Sequence, residues 1–452
     1  MKLRFNKGEM AMEMDTVRPF KIDIPDASLE RLHKKLELAD FPEEPEAGPD
    51  YGATVSDVKR LAAYWKDGFD WKKQEAKLNE LPHFKTMVEV DGFGELDMHF
   101  LHQKSNVPGA IPLLLWNSGP GSFLEVTHLL PLLKDSVDGP SFHRVYRKED
   151  SEPGDIRYCG AFSPKLWLQL RHVKGTYLTH PLVLLKGEPT NTSKKGFAIP
   201  HYAASLHKIM LALGYNEYVT QGGDWGFFIT RALAHLYPTH VKALHTNWPY
   251  APFPSIKSSP LLAAVSMIKH GLGFYTTREA SDIARAKETA KGQETGYLPL
   301  LSTKPLTLSF SLNDSPVGLL AFIYEKLACW TDVYEWTDDE ILTWISIYYF
   351  STAGPGAAAY IYKEARDDKV WPLRRFQNWV RQPLGFRYFP RELASLPKGW
   401  LAGMGTVVLV GESEKGGHFG AWEFPEDIVE DLKKMFGKGG GAFGLVEGKS
   451  GY

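Results

Sequence analysis

Val219-Thr220-Gln221-Gly222-Gly223-Asp224-Trp225-Gly226-Phe227-Phe228 joins a β-rich run, Tyr218 to Thr220, to a helix-compatible run that lasts to about Tyr237. Glycines flank one acidic residue at the junction. Where strand turns sharply into helix, neighbours with side chains do not fit, and the central side chain is pushed up above the sheet. This is the pattern of a nucleophile elbow. The usual elbow carries Ser; here it is Asp224, so the implied chemistry is ester formation by a carboxylate on an electrophilic carbon. A Gly-rich turn with a helix-capping Asp fits the same ten residues. The surrounding sequence has to decide between them.

Upstream, Ile111 to Trp116 is a continuous apolar run of the kind that forms a strand buried on both faces. Asn117-Ser118-Gly119-Pro120-Gly121-Ser122-Phe123 follows as a tight loop, then a helical run to Leu133. Downstream, Val241 to Thr246 and Thr406 to Val410 read as further sheet strands, and a last helix covers about Asp427 to Phe436. Strand, glycine loop and helix in repetition describe an α/β fold with a mostly parallel sheet flanked by helices. Residues 251–375 are too rich in helix for one crossover and read as a helical cap inserted between core segments 106–250 and 376–436. Residues 18–105 form a mainly helical lead-in: a short strand at Phe20 to Ile24, a helix from Asp26, a second amphipathic segment to about Asn79, and a hairpin turning at Asp91-Gly92. Residues 1–17 read as a flexible leader and 437–452 as a disordered, Gly-rich tail. Between 135 and 195 no period of 2 or 3.6 is sustained, and this stretch reads as an anomalous insertion.

The 452 residues are 43% apolar and 23% charged, which are ordinary globular values. A formal net charge of −2 gives no electrostatic case for nucleic acid. Cys159 and Cys329 lack metal or redox spacing and suggest a reducing compartment. The N-terminus has no continuous apolar segment and no run is long enough to span a bilayer, so a soluble cytoplasmic protein without a transmembrane anchor is expected. A homo-oligomer is compatible with the sequence and not required by it.

An Asp nucleophile needs a base to hydrolyse its ester, and that base needs a carboxylate to orient it. After the last strand comes Gly416-Gly417-His418-Phe419, and upstream sits Phe389-Pro390-Arg391-Glu392. The order Asp224, Glu392, His418 is the nucleophile–acid–base order of the α/β-hydrolase fold. Taken singly, His418 reads as a loop residue and Glu392 as a solvated charge; together, around this strand rhythm, they read as a site.

With these motifs, and with Tyr64-Trp65, Gly121-Ser122-Phe123-Leu124-Glu125, Gly296-Tyr297 and Tyr362-Lys363-Glu364, the chain resembles microsomal-type epoxide hydrolases, including juvenile hormone epoxide hydrolases and fungal relatives. The resemblance covers about residues 18–133 and 195–436. It implies Asp224 as nucleophile, His418 as base and Glu392 as its orienting acid. It also implies Tyr297 and Tyr362 as donors to the epoxide oxygen, with backbone N–H groups at Trp225 and in the Gly119–Pro120 loop holding the oxyanion. It implies a small apolar epoxide and water as the reacting partners, no cofactor and no metal, and a part in epoxide metabolism and detoxification. Asn117-Ser118-Gly119-Pro120 departs from the family's His-Gly-Trp-Pro type run. The family's strand and Pro/Gly loop before residue 195 have no clear counterpart beyond Phe142 to Val145. Two other readings stay open: a family member repurposed as a binding protein or epoxide-opening cyclase, and a dehalogenase using the same Asp–His chemistry.

Overall fold

Apolar runs and turn signals arrange the chain as one nine-stranded sheet among the residues that the computed structural model describes, which are 17–46, 48–105, 109–134, 175–179, 194–292 and 295–449. The strands are β1 (Arg18–Pro19), β2 (His83–Val90), β3 (Gly94–Gln103), β4 (Ile111–Ser118), β5 (Gly175–Thr179), β6 (Tyr218–Asp224), β7 (Val241–Thr246), β8 (Val380–Tyr388) and β9 (Gly405–Glu412). Their spatial order is β1-β2-β3-β5-β4-β6-β7-β8-β9. From β5 to β9 every pairing is parallel, and β1, β2 and β3 add an antiparallel edge. This is the α/β-hydrolase arrangement expected from the motif order.

The sheet separates two cores, and β4 shows why its sequence is continuously apolar. Leu113 and Leu115 belong to the cluster that contains Trp65, Trp330 and Trp344. Leu114 and Trp116 point the other way, into the cluster with Tyr218, Phe227 and Ile229. Between β7 and β8 lie six α-helices, from Pro260–Leu272 to Asp338–Tyr349, and then Tyr360–Asp367. Among the described residues no single helix is long and apolar enough to cross a membrane.

Several local expectations need correction. The strand at the N-terminus is Arg18–Pro19, not Phe20 to Ile24. The latter segment instead satisfies its backbone on side chains: Ile22 N–H donates to Asn79 Oδ1 at 2.8 Å and Ile24 N–H to Glu75 Oε2 at 2.7 Å. The second amphipathic segment is two helices, Val55–Asp67 and Trp71–Leu78, because Asp70 caps the second by accepting from Lys73 N–H. Of the tail read as disordered, the described residues 437–449 are packed. Ala442 and Val446 are buried, Ala442 N–H donates to the Met435 carbonyl, and Glu447 N–H donates to Glu217. Its glycines serve close packing: a Cβ on Gly440 would lie 2.1 Å from the Lys434 carbonyl oxygen, and one on Gly441 would lie 2.5 Å from Val408. Inside the stretch read as an insertion, β5 pairs with β4 from Ile111–Gly175 to Leu115–Thr179 and fills the position between β3 and β4. Phe142 to Val145, where that strand was sought, and the leader up to residue 16 lie outside the described residues.

At the junction of β6 and helix Trp225–Leu236 the chain turns within one residue. Asp224 takes φ 50° and ψ −124°, the one non-glycine at positive φ among the described residues. The turn brings the helix onto β4 so closely that a Cβ on Gly226 would lie 1.8 Å from the Trp116 carbonyl oxygen, and one on Gly222 2.6 Å from it. Gly226→Ala is therefore expected to cost about 3 kcal/mol or more in chemical denaturation. Gly271→Ala, in helix Pro260–Leu272 with no atom within 4 Å of the added carbon, should be neutral or stabilise by up to about 1 kcal/mol.

Candidate active site

The elbow delivers the Asp224 carboxylate to the first turn of helix Trp225–Leu236, where the Trp225 backbone N–H donates to it. The helix dipole favours a negative group there. Burial acts most strongly on this carboxyl and, with Glu392 nearby, pushes it up to about 7, against the opposing pull of His418. Gly119 lies against it from the β4 loop. Its φ is 95°, and a Cβ there would lie 2.2 Å from Asp224 Oδ2, so this loop geometry accepts only glycine.

His418 comes from the loop after β9, and glycine is required there too. A Cβ on Gly417 would lie 2.3 Å from the Trp330 carbonyl oxygen, which accepts the His418 N–H at 2.8 Å. The Gly417 N–H donates to Glu423 at 3.0 Å, and Glu423 also accepts from Asp332 N–H at 2.9 Å. The imidazole Nδ1 lies 2.7 Å from Glu392 Oε1, and both residues are buried. Burial works against the charged imidazole, but the Glu392 charge and hydrogen bond, then Asp224 and Glu125, outweigh it and raise the pKa to about 9. At neutral pH the resting site thus holds an imidazolium between carboxyl groups.

Tyr297, at the start of helix Tyr297–Thr303, and Tyr362, in helix Tyr360–Asp367, meet from separate helices between β7 and β8. Their rings stand 6.0 Å apart at 84°, and the Tyr297 hydroxyl donates to that of Tyr362. Tyr362 also accepts from the Trp225 indole. Burial raises both phenols, Tyr297 well above the ordinary range, so both are O–H donors at neutral pH.

Both tyrosines line an apolar cavity together with Trp116, Trp225, Phe322 and Trp330. Lys326 is the one charged residue on this wall. Its Nζ is paired with Glu325 at 2.7 Å and lies 5.0 Å from the Tyr297 ring centroid. A second, much smaller cavity is bounded by Gly121, Glu125, Gly223, Asp224, Asn247, His418 and Phe419. Among the described residues no three His, Cys, Asp or Glu side chains are grouped as metal ligands.

The five side chains singled out in the sequence are therefore brought to one place, with the Trp225 and Gly119 backbones beside Asp224. Supports for the Gly119–Gly121 loop had no sequence signal. The Trp344 indole donates to the Pro120 carbonyl at 2.6 Å, and the Tyr348 hydroxyl donates to the Gly121 carbonyl. A tryptophan in an apolar helix gives no hint that its N–H serves a loop more than two hundred residues away. Glu125 stands in the Gly121-Ser122-Phe123-Leu124-Glu125 run that carries part of the resemblance, but its residue type and spacing assign it no role; what sets it apart is its burial beside Asp224 and His418.

Residues 17–126 match the family described as epoxide hydrolase N terminus. The chain is 32% identical over 450 residues to epoxide hydrolase 1 of Sus scrofa, covering 94% of this chain and 90% of that one. Its fold is similar to that of the epoxide hydrolase of Aspergillus niger, with TM-score 0.70, 26% identity, and coverage of 92% and 94%. The juvenile hormone epoxide hydrolase of Bombyx mori gives TM-score 0.68, 25% identity, and coverage of 92% and 93%.

Glu392 is the leading upward influence on His418. Glu392→Gln should lower the His418 pKa from about 9, read by NMR titration of ring-labelled histidine; an unchanged value would show that Glu392 does not set it. The raised pKa also has a sign in stability. The folded state holds this proton more tightly than the unfolded chain, so the His418 contribution is present below about 6.5 and lost as pH rises through about 9.

Proposed function

The chain belongs to the epoxide hydrolase family, and we propose that it opens an apolar epoxide to a vicinal diol through a hydroxyalkyl ester of Asp224. The observation that carries this reading is the meeting of Asp224 with the buried His418–Glu392 pair, beside a cavity into which two hydrogen-bonded phenols face. The apolar walls suit a substrate with little polar surface beyond the epoxide oxygen.

In the first half-reaction the Asp224 carboxylate attacks a ring carbon and the C–O bond opens. Charge develops on the departing oxygen, and Tyr297 and Tyr362 stabilise it and supply the proton. Their mutual hydrogen bond holds both hydroxyls at one point before substrate arrives.

Esterification cancels the Asp224 charge, one of those that raise His418. The imidazole then releases its proton more readily, at the step where it must act as base. His418 takes a proton from water, and the hydroxide attacks the ester carbonyl carbon. The oxyanion forms next to the Trp225 N–H and the Gly119 backbone. Collapse expels the diol oxygen with the proton from His418; the second water proton, left on the Asp224 carboxyl, returns to the phenol that protonated the first oxygen, and His418 regains from solvent the proton it released after esterification. One water oxygen thus remains in Asp224 on each turnover. Glu392 holds the ring orientation throughout and balances the imidazolium.

His418→Ala should form the ester and not hydrolyse it. Exposed to aryl and alkyl epoxides, this variant is expected to gain the mass of one epoxide by intact-protein mass spectrometry, and His418→Ala/Asp224→Asn to gain none. A folded single variant that gains no mass with any epoxide would overturn the ester mechanism. Tyr297→Phe and Tyr362→Phe are each expected to slow alkylation by about 10²-fold. Because the two hydroxyls act on one oxygen, the double variant should lose less than the product of the two. Rapid-quench measurement of ester formation checks both.

A further inference from the structure

We propose that Lys326 is a positioning residue for ring opening, acting through Tyr297: its ammonium, held over the face of that ring, stabilises the negative charge left there when the two tyrosines pass a proton to the opening epoxide oxygen. The inference rests on the reading of Tyr297 and Tyr362 as the donors to that oxygen.

Lys326 stands where the helix pattern calls for an apolar side chain. Leu319, Phe322, Ile323, Lys326 and Trp330 recur at the spacing of one helix face, the first four in helix Pro316–Cys329 and Trp330 just past its end, and all line the apolar cavity. Lys326 is 4% exposed, and lysine is almost never buried so fully unless it is paired. Its partner is Glu325, 2.7 Å from Nζ, whose side chain is 28% exposed. That pairing explains how the charge is tolerated; it does not explain why the charge faces the cavity. On the cavity side the ammonium meets two rings, with centroids 4.6 Å away in Phe322 and 5.0 Å away in Tyr297. Both lie within the reach of about 6 Å over which a cation is drawn to a ring face.

The direction of the hydrogen bond between the phenols sets where the charge comes to rest. The Tyr297 hydroxyl donates to Tyr362, which leaves the Tyr362 proton for the epoxide oxygen. As the ring C–O bond breaks, the Tyr362 proton moves to the departing oxygen and the Tyr297 proton moves to the Tyr362 oxygen. One O–H bond has formed on the substrate, the pair has lost one proton, and the negative charge sits on Tyr297. The proton that Asp224 gives back at the end of turnover restores the neutral pair. A phenolate spreads its charge into the ring, so a cation over the ring face attracts it more strongly than it attracts the neutral phenol. The contact therefore strengthens toward the transition state, which is the condition for speeding the step. Burial, then Asp224 and Glu325 among others, holds Tyr297 well above the ordinary phenol range, and Lys326 is the cation on this wall placed to oppose them.

An electrostatic role needs the Tyr297 hydroxyl, because without it no phenolate forms; a packing role needs only the ring. Lys326→Met fills much the same slot without charge, and Lys326→Arg keeps the charge. Replacing a buried paired charge by an apolar side chain is often neutral for stability, and Glu325 has solvent to turn to, so the Met variant is expected to fold.

The test is a double-mutant cycle on the alkylation rate at saturating styrene oxide, followed by single-turnover rapid quench and intact mass. The four proteins are wild type, Lys326→Met, Tyr297→Phe and Lys326→Met/Tyr297→Phe. Lys326→Met is expected to slow alkylation by about 10- to 30-fold in the wild-type background. In the Tyr297→Phe background, where the ring remains and the hydroxyl does not, it should cost less than about three-fold. Lys326→Arg should stay within about five-fold of wild type. Equal losses in the two backgrounds, or wild-type alkylation in a folded Lys326→Met, would overturn the assignment. If Met does not fold, Lys326→Gln, also uncharged, takes its place in the same cycle. Failure of the underlying reading shows separately, as the absence of any alkylated protein or as unchanged alkylation in Tyr297→Phe alone.

Discussion

One backbone carbonyl, that of Trp116 in the central strand, sets how close helix Trp225–Leu236 can come to the sheet. Gly222 and Gly226 both lie against it, at distances that exclude a methyl group. Moving the helix outward by the width of one side chain would relax the strained Asp224 backbone and withdraw the carboxylate from Gly119 and the cavity wall. The strain at Asp224 is thus maintained by the packing of its neighbours, and the Trp225 N–H that donates to the carboxylate is set by the same turn.

Around that fixed carboxylate the site concentrates buried acids on a single imidazole. Asp224, Glu125 and Glu392 all influence His418, and burial alone would drive its proton off. The result differs for each acid according to its partners. Glu392 has the imidazole and the Leu393 N–H. Asp224 has the helix end, and Glu125 has only the Ser122 backbone to offset its burial. A single charge change at Asp224 is therefore felt by the imidazole without any movement of atoms, which is what the proposed two-step reaction asks of its base.

The parts of this architecture that could be read in the sequence are those in which a local pattern has one physical cause. Gly222-Gly223-Asp224-Trp225-Gly226 is legible because the glycines answer to close approach, and Ile111 to Trp116 because a strand between two cores must be apolar on both sides. Glu392 and His418 are legible only as a pair, through their order after the elbow. β8 has no such clarity. It contains Pro383 and Gly385 and its register shifts against β9, which breaks the alternation that marks a strand. A Cβ on Gly385 would lie 2.6 Å from Met435 Sδ, so the glycine answers to a helix far along the chain. The packed tail was obscured in the same way, since a glycine needed for contact and one needed for flexibility look alike in sequence. The Trp344 and Tyr348 bonds to the Gly119–Gly121 loop depend wholly on tertiary placement.

Trp330 joins two properties that might otherwise be tuned apart. Its indole forms part of the wall of the large cavity and stands edge-on to His418, with ring centroids 5.1 Å apart, while its carbonyl holds the His418 N–H. Leu301 and Leu312 touch the same cavity with no ring contact to His418 or to the two tyrosines. Selectivity for substrate shape can therefore drift through those positions while turnover is preserved, whereas any change at Trp330 alters both at once. In a lineage adapting to new epoxides, or in a laboratory selection for enantiopreference, that position should be the last to vary.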